Sequence, residues 1–157
     1  MFEVLVYMFE NFIDGQFRPD ESTLSKELAA AGFNEQDIHH AFNWFSQLEH
    51  KTSQPNTHIA PKHTSSRIFT ADEHKKISFE SLNFVLFLVQ ANILNTAQRE
   101  LVLELAMKLP QDNISHDEFR WIVLMTTWGS SQANAHHAQD YMLMEDVLMS
   151  KQKPTLH

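Results

Sequence analysis

The chain has 157 residues, with 20 Asp and Glu against 12 Lys and Arg, and it contains no Cys, three Gly and five Pro. The lack of Cys excludes a disulfide scaffold, a thiol nucleophile and any Cys-ligated metal or iron–sulfur site. The formal net charge of −8 opposes general affinity for nucleic acid or anionic lipid, and no Gly-rich phosphate-binding motif is present. The length suits one domain, or two small domains that share a core.

The first 49 residues show helical periodicity in three segments. Apolar residues recur at intervals of three and four over residues 2–14, which predicts an amphipathic helix. A second helix begins after the cap Asp20 or Ser22 and ends at Gly32, and a third begins at the cap Asn34. We predict that these helices form an N-terminal three-helix bundle over residues 1–49.

Residues 50–67 differ in composition from the segments on either side. They hold two Pro, three Lys or Arg, three His and no acid. Such a composition predicts a polar linker on the surface. Its positive charge rises as its His protonate below about pH 6.5, so it suits contact with the acidic half or with an anionic partner. A solvated loop is the simpler interpretation.

The sequence of residues 68–150 predicts four further helices, which we expect to form a C-terminal four-helix bundle. Residues 151–157 are predicted to form a tail. The capping box formed by Thr70 and Glu73 begins a helix that runs to about Asn92. The second half of this helix is apolar on all sides, which is typical of a central helix.

The last three predicted helices follow from further capping signals. Asn95 begins the first, and a second capping box, Ser115 with Glu118, begins a helix that ends at Gly129. The final helix covers about residues 133–150. No segment shows strand periodicity, so the fold class is all-α with about seven helices, arranged as two small bundles or one continuous bundle.

Several stretches together carry a family resemblance that spans essentially the whole chain. They read MFEVLVYMFENFI, AGFNEQDIHHAFNWF, RIFTADE, TAQRELVLELAMKL and ISHDEFRWIVLM, with Leu-His at the C-terminus. In these stretches the chain resembles the bacterial Smg family. The resemblance implies a small soluble cytoplasmic protein with no family active site to carry over. Its gene often lies near that of the DNA-processing protein Smf, and this association supplies no mechanism. The pair Trp128-Gly129 and residues 50–67 depart from the family pattern.

Residues 24–45 resemble a helix-turn-helix motif, because Leu28, Ala31, Gly32 and Ile38 fall near its small, glycine and aliphatic positions. The second helix of such a motif contacts DNA phosphates through Lys or Arg. Residues 20–49, however, carry a single basic residue, Lys26, and six acids. A plain helical hairpin is therefore favoured, because acids repel phosphates. An accessory factor that contacts DNA or RNA through this element remains the alternative function.

The ten His do not form a recognisable site. Two adjacent pairs are present, His39-His40 and His136-His137. No three ligands show metal-site spacing. The segment that ends at Glu118 resembles an EF-hand loop, but Met107 and Leu109 would occupy its first and third ligand positions and supply no oxygen. We predict no metal, no cofactor and no catalytic residue, and therefore a protein that is not an enzyme.

The strongest candidate site is an acidic surface on the first and third helices. Its members are Glu3, Glu10, Asp14, Glu35, Asp37 and Trp44. Such a surface suits docking of a basic protein, whereas solvation of a charged face is the simpler interpretation. Trp44 and the Met-rich last helix suit either a binding surface or a core. We predict a non-enzymatic cytoplasmic accessory protein with a protein partner. Direct nucleic-acid binding is disfavoured, and no apolar run is long enough to span a membrane.

Overall fold

The structure, a computed structural model, describes residues 1–13, 20–53 and 68–133. Within these ranges it contains helices and no strand, which confirms the all-α class. The elements in chain order are α1 (Phe2–Met8), a π-helical segment (Phe9–Ile13), α2 (Glu21–Ala30), α3 (Glu35–Ser53), α4 (Ala71–Lys76), α5 (Phe79–Gln90), α6 (Thr96–Met107) and α7 (His116–Ala133). The predicted final helix beyond residue 133 and the tail 151–157 lie outside the described residues.

Side-chain caps explain where the helices begin. Each predicted cap accepts a hydrogen bond from the backbone N–H three residues later: Asp20, Asn34, Thr70, Asn95 and Ser115. Both predicted capping boxes are complete, because Glu73 and Glu118 accept the N–H groups of Thr70 and Ser115 at 2.9 and 2.8 Å. These local bonds satisfy N–H groups that a helix start otherwise leaves unpaired.

Two helices end in the same left-handed turn. After α2, Gly32 has a φ of +99°, and the N–H of Phe33 donates to the carbonyl of Leu28 at 3.2 Å. After α5, Asn92 takes the same role with a φ of +58°. Gly and Asn are the residues that adopt this conformation most readily, so the predicted stop at Gly32 is confirmed.

The predicted helix from residue 70 to Asn92 is wrong as a single element, because the chain breaks between α4 and α5. At the break Ile77 forms an isolated parallel bridge with Ile114, and the N–H of Ile114 donates to the carbonyl of Lys76 at 2.9 Å. Ser78 then caps α5. The bridge places the start of α5 beside the start of α7.

The first predicted helix also differs from a regular α-helix, since α1 passes into the π-helical segment at Phe9. The third helix extends further than predicted and ends at Ser53, so the loop interpretation is wrong for residues 50–53. Two contacts support this extension. Thr52 donates its hydroxyl to the carbonyl of Leu48 at 2.8 Å, and Lys51 pairs with Glu104 of α6.

Gly129 was predicted to end a helix, but α7 continues through it to Ala133. A Cβ at Gly129 would lie 3.4 Å from side-chain atoms of Leu48 and of Thr52. Gly129 therefore lies at a close contact between α7 and α3, rather than at a helix stop.

The central helix of the described chain is α7, which packs against α3, α5 and α6. Its residues Phe119, Ile122 and Val123 are completely buried. The prediction that α5 is central is wrong, because Phe79 and Phe87 are 75% and 55% exposed. One side of α5 is buried against its neighbours, and the apolar residues on its other side face outward.

Helices from both predicted bundles contribute to one hydrophobic core. Buried side chains on either side of residues 54–67 belong to a single cluster. In addition, α3 packs directly on α6 and α7. The ring of Phe9 meets the rings of Trp121 and Trp128 edge-on, with centroids 6.2 and 5.9 Å apart. The boundaries at residues 49 and 68 stay a prediction, although the helices on either side of them pack against each other.

Candidate functional site

The predicted acidic surface is largely exposed. Glu3, Glu10 and Glu35 are exposed, and Asp37 is partly exposed. Asp14 lies outside the described residues. The exposed members lie on α1, on the π-helical segment and at the start of α3, so the N-terminal helices present several carboxylates to solvent.

Asp37 differs from the other acids because it already has a cationic partner. Its carboxylate lies 3.1 Å from the N-terminal ammonium of Met1 and accepts the side-chain amide of Asn34 at 2.9 Å. The hydrogen bond from the ammonium holds the pKa of Asp37 below its ordinary value. This ion pair ties the start of α1 to the start of α3, and it offsets part of the negative charge that Asp37 offers to a partner.

Trp44 was predicted as part of the interaction surface, and this prediction is wrong. The residue is only 2% exposed, and its indole N–H donates to the carbonyl of Leu105 at 3.1 Å. Its ring also packs edge-on against Phe45, with centroids 5.4 Å apart. The carbonyl of Leu105 lies in the last turn of α6, where helix carbonyls lack intrahelical partners. The indole N–H of Trp44 supplies the missing donor, so the ring is buried in the core with its polar group hydrogen-bonded.

A second distant side chain completes the C-terminal end of α6. The ammonium of Lys76 donates to the carbonyl of Met107 at 2.9 Å and also to the carbonyl of Leu109. Burial lowers the pKa of Lys76, and the nearby charge of Asp112 opposes that shift. Side chains from α3 and α4 thus cap one helix end, which fixes the position of α6 relative to both.

A polar network joins α3 to α6 beside this helix end. Glu104 pairs with Lys51 and with Lys108, the latter at 2.9 Å, and Lys108 also donates to Gln47 at 2.5 Å. The hydrogen bond from Lys51, followed by that from Lys108, lowers the pKa of Glu104. Each partner is partly exposed, so the network contributes modestly to stability and mainly fixes the register of the two helices.

An open cavity of about 300 Å³ lies next to the network. Its lining includes Met1, His40, Asn43, Gln47 and Lys108. The lining holds one His and no carboxylate, so it does not contain the His–carboxylate pair of a general acid–base site.

Replacing Glu104 with Gln is expected to lower the free energy of unfolding at pH 7 by about 0.5–1 kcal/mol. A carboxyl whose pKa is lower in the folded than in the unfolded state stabilises the fold above its unfolded pKa. That contribution is lost as pH falls through the folded pKa. The difference from the parent protein should therefore shrink as pH falls below 4.5, the ordinary value for this group. Urea titrations at stepped pH measure it, with Glu27→Gln on α2 as the control. A difference that does not change with pH would contradict the assignment.

The described ranges contain no group of three or more His, Asp or Glu side chains that could hold a metal ion. In the same ranges no helix combines the length and the hydropathy that crossing a bilayer requires.

The helix-turn-helix-like element exists as a hairpin of α2 and α3 around Gly32. The exposed side chains along α3, before its last turn, are acidic, neutral or imidazole, and the first Lys or Arg on this helix is Lys51. Lys51 pairs with Glu104. Along α3 the described structure therefore lacks the row of cations that a phosphate backbone requires.

Taken together, the helices define a small all-α protein in which an N-terminal and a C-terminal group of helices share one core. The chain belongs to the family described as "Protein of unknown function (DUF494)", whose profile matches residues 1–157. It is 46% identical over 157 residues to the "Protein Smg homolog" of Methylobacillus flagellatus, covering 100% of both chains. It is 32% identical over 160 residues to the homologues of the same name from Shewanella piezotolerans and Shewanella baltica, covering 100% of this chain and 99% of each relative. The resemblance to the Smg family is thereby confirmed. No solved structure matches the chain.

Proposed function

We propose that this protein is a non-enzymatic accessory protein of the cytoplasm that binds a basic protein partner through an acidic helical surface. We define the N-terminal acidic surface by the exposed glutamates of α1, the π-helical segment, α2 and the start of α3: Glu3, Glu10, Glu21, Glu27 and Glu35. The observation that carries the proposal is this run of exposed carboxylates on the helices that precede residue 54. In the described part of that region Lys26 and Lys51 are the basic residues, and Lys51 pairs with Glu104.

The charge of this surface favours a protein over a nucleic acid. Phosphate contacts require Lys or Arg, and each added carboxylate weakens them. A basic protein surface instead gains from the same carboxylates, chiefly through faster and more selective encounter. Because the surface lies on helices that pack into the core, its carboxylates are presented on a fixed frame.

A matched pair of charge variants tests this proposal. One variant carries Glu→Gln at the five positions of the N-terminal acidic surface. The control carries the same number of charge removals at exposed acids elsewhere, namely Asp72→Asn, Glu80→Gln, Glu100→Gln, Asp112→Asn and Asp117→Asn. Each tagged protein is used for affinity capture from its own cell lysate, with and without nuclease treatment. In the nuclease-treated lysate we expect the parent and the control to retain one stoichiometric basic protein, and the first variant to lose it.

Two results would count against the proposal. The first is recovery of no stoichiometric protein, or equal recovery by both variants. The second is a set of captured proteins that disappears with nuclease, accompanied by a gel shift of DNA or RNA at low salt. That second result would favour the alternative function, an accessory factor that contacts nucleic acid through the α2–α3 hairpin.

A further inference from the structure

The cavity beside the α3–α6 network is a groove between two elements of the fold. One wall is a stripe of side chains along α3 that recur at intervals of three and four residues and so share one helix face: His40, Asn43, Trp44 and Gln47. The opposite wall comes from the end of α6 and the segment after it, and it contains Lys108 and Pro110. The hydrogen bond from Lys108 to Gln47, at 2.5 Å, joins the two walls. The cavity therefore lies where the helices before residue 54 meet those after residue 67.

The charge around this cavity is opposite in sign to that of the chain as a whole. The full chain carries a net charge of −8, yet among the described residues that line the cavity there is no Asp or Glu. Glu104, in the adjoining network, pairs with both Lys51 and Lys108. One carboxylate against two ammonium groups leaves a positive charge at the edge of the cavity.

Two further acids near the cavity act on cations of their own. The carboxylate of Asp37 lies 3.1 Å from the ammonium of Met1, which also lines the cavity. The charge of Asp112, two residues after Pro110, acts on the ammonium of Lys76. Each of these pairs is electrically balanced, so the positive charge beside Lys108 stays in place.

The lining also holds hydrogen-bond donors that have no acceptor in the described part of the chain. An ammonium can only donate, so the atom of Gln47 that Lys108 contacts is the amide oxygen, and the amide N–H groups of Gln47 lie on the other branch. Lys108 donates to Gln47 and to Glu104, which leaves the third of its own N–H groups. Free donors grouped beside an uncompensated positive charge suit an anionic group.

We propose that this cavity binds a small monocarboxylate with a compact apolar body. The carboxylate accepts hydrogen bonds from Lys108 and from the amide of Gln47, and the apolar body lies against Met1, Trp44 and Pro110. One negative charge matches the one positive charge that Glu104 leaves uncompensated, whereas a phosphate group carries about −1.5 to −2 at pH 7. The volume of about 300 Å³ lies at the lower end of the range for small-molecule sites.

The position of the cavity gives such a ligand an effect on the fold. A carboxylate bound there contacts both groups of helices, because α3 precedes residue 54 and Lys108 follows residue 67. A ligand that binds the folded chain alone stabilises it, by an amount that grows with ligand concentration. The cavity therefore couples the supply of a small carboxylate to the contact between α3 and α6. Because the cavity is open and the ligand small, we expect affinity in the millimolar range.

Nuclear magnetic resonance titration of the full, ¹⁵N-labelled chain tests the proposal. The probe is cyclohexanecarboxylate, and the matched control is cyclohexanecarboxamide, which has the same shape and no charge. Acetate, which lacks the apolar body, and inorganic phosphate are the other controls. We expect cyclohexanecarboxylate to shift the side-chain amide signals of Asn43 and Gln47 and the indole N–H signal of Trp44 in a saturable way. The three controls should bind at least about tenfold more weakly.

Two pairs of variants locate the site. Lys108→Gln removes the positive charge of the cavity, and Lys75→Gln removes the same charge at an exposed position of α4. Asn43→Asp places a carboxylate in the lining and leaves the Lys108 network intact, and Asn83→Asp adds the same charge at an exposed position of α5. The first member of each pair should weaken binding of cyclohexanecarboxylate by about tenfold or more, and the second by less than about twofold.

Three results would overturn the proposal. Equal binding of the amide and the carboxylate would show an apolar cavity with no preference for an anion. Equal binding of phosphate would show that charge alone decides and that the apolar wall plays no part. Binding that both Lys108→Gln and Asn43→Asp leave unchanged, or no saturable shift at Asn43, Gln47 and Trp44, would place no ligand in this cavity. These titrations contain no protein partner and leave the N-terminal acidic surface unaltered, so failure here is separable from failure of the proposed function.

Discussion

Replacing Trp44 with Ala is expected to lower the free energy of unfolding by about 3–5 kcal/mol. The side chain is 2% exposed, so its removal leaves a large cavity between α3 and α6. It also leaves the carbonyl of Leu105 without the indole donor that lies 3.1 Å away. Urea denaturation followed by far-ultraviolet circular dichroism measures the loss.

Trp44→Phe separates the two contributions. This variant keeps most of the ring volume but removes the donor, and it should lose about 1–3 kcal/mol, the range for a buried carbonyl left unpaired. Trp121→Phe, at a half-buried aromatic residue, serves as the control and should lower the free energy of unfolding by less than Trp44→Phe does. If Trp44→Ala lost no more than Trp121→Phe, the burial of Trp44 between the two groups of helices would be contradicted.

Replacing Gly129 with Leu is expected to lower the free energy of unfolding by about 1–3 kcal/mol, because it overpacks the contact between α3 and α7. Even a bare Cβ at this position would lie 3.4 Å from atoms of Leu48 and Thr52. Gly129→Ala should change stability by less than about 1 kcal/mol, because its gain in helix propensity offsets the tight contact. Thermal and urea denaturation measure both variants.

A double-mutant cycle identifies the contact responsible. If Leu at position 129 clashes with Leu48, then Leu48→Ala should be less harmful in the Gly129→Leu background than in the parent, with a coupling of about 0.5–3 kcal/mol. Strictly additive effects would show that α3 and α7 do not meet at Gly129.

The starts of the helices could be predicted from the sequence because capping is local. Asn34, Thr70, Asn95 and Ser115 each bond to a backbone group only three residues away. The stop at Gly32 is similarly local, since a left-handed turn depends on the residue that adopts it. The all-α fold class could also be predicted, because the spacing of apolar residues along each helix is a local property of the sequence.

Features that depend on distant partners could not be predicted in this way. The break at Ile77 depends on a bridge to Ile114, which lies 37 residues further along the chain. Gly129 has the composition of a helix stop, and only the presence of Leu48 shows that it serves a close helix contact. The apolar run of α5 indicated burial on all sides, but within the described residues the neighbouring helices cover one side of α5, and Phe87 is exposed.

The candidate site was predicted in part. Glu3, Glu10 and Glu35 face solvent as expected, because charged residues on the polar side of an amphipathic helix stay in water. Trp44 was misplaced, although a signal was available. It lies three residues after Ala41 and four before Leu48, which places it on the buried stripe of α3.

Because the helices before residue 54 and those after residue 67 share one hydrophobic core, we expect them to fold as one unit. The most direct test uses the Trp121→Phe/Trp128→Phe variant, in which Trp44 is the only remaining fluorophore of its kind. Its fluorescence reports on the contact between α3 and α6, whereas circular dichroism reports on all the helices. We predict that the two signals give the same urea midpoint and the same slope, as a single cooperative transition requires. A fluorescence transition clearly separated from the loss of helix would show that the two groups of helices unfold independently.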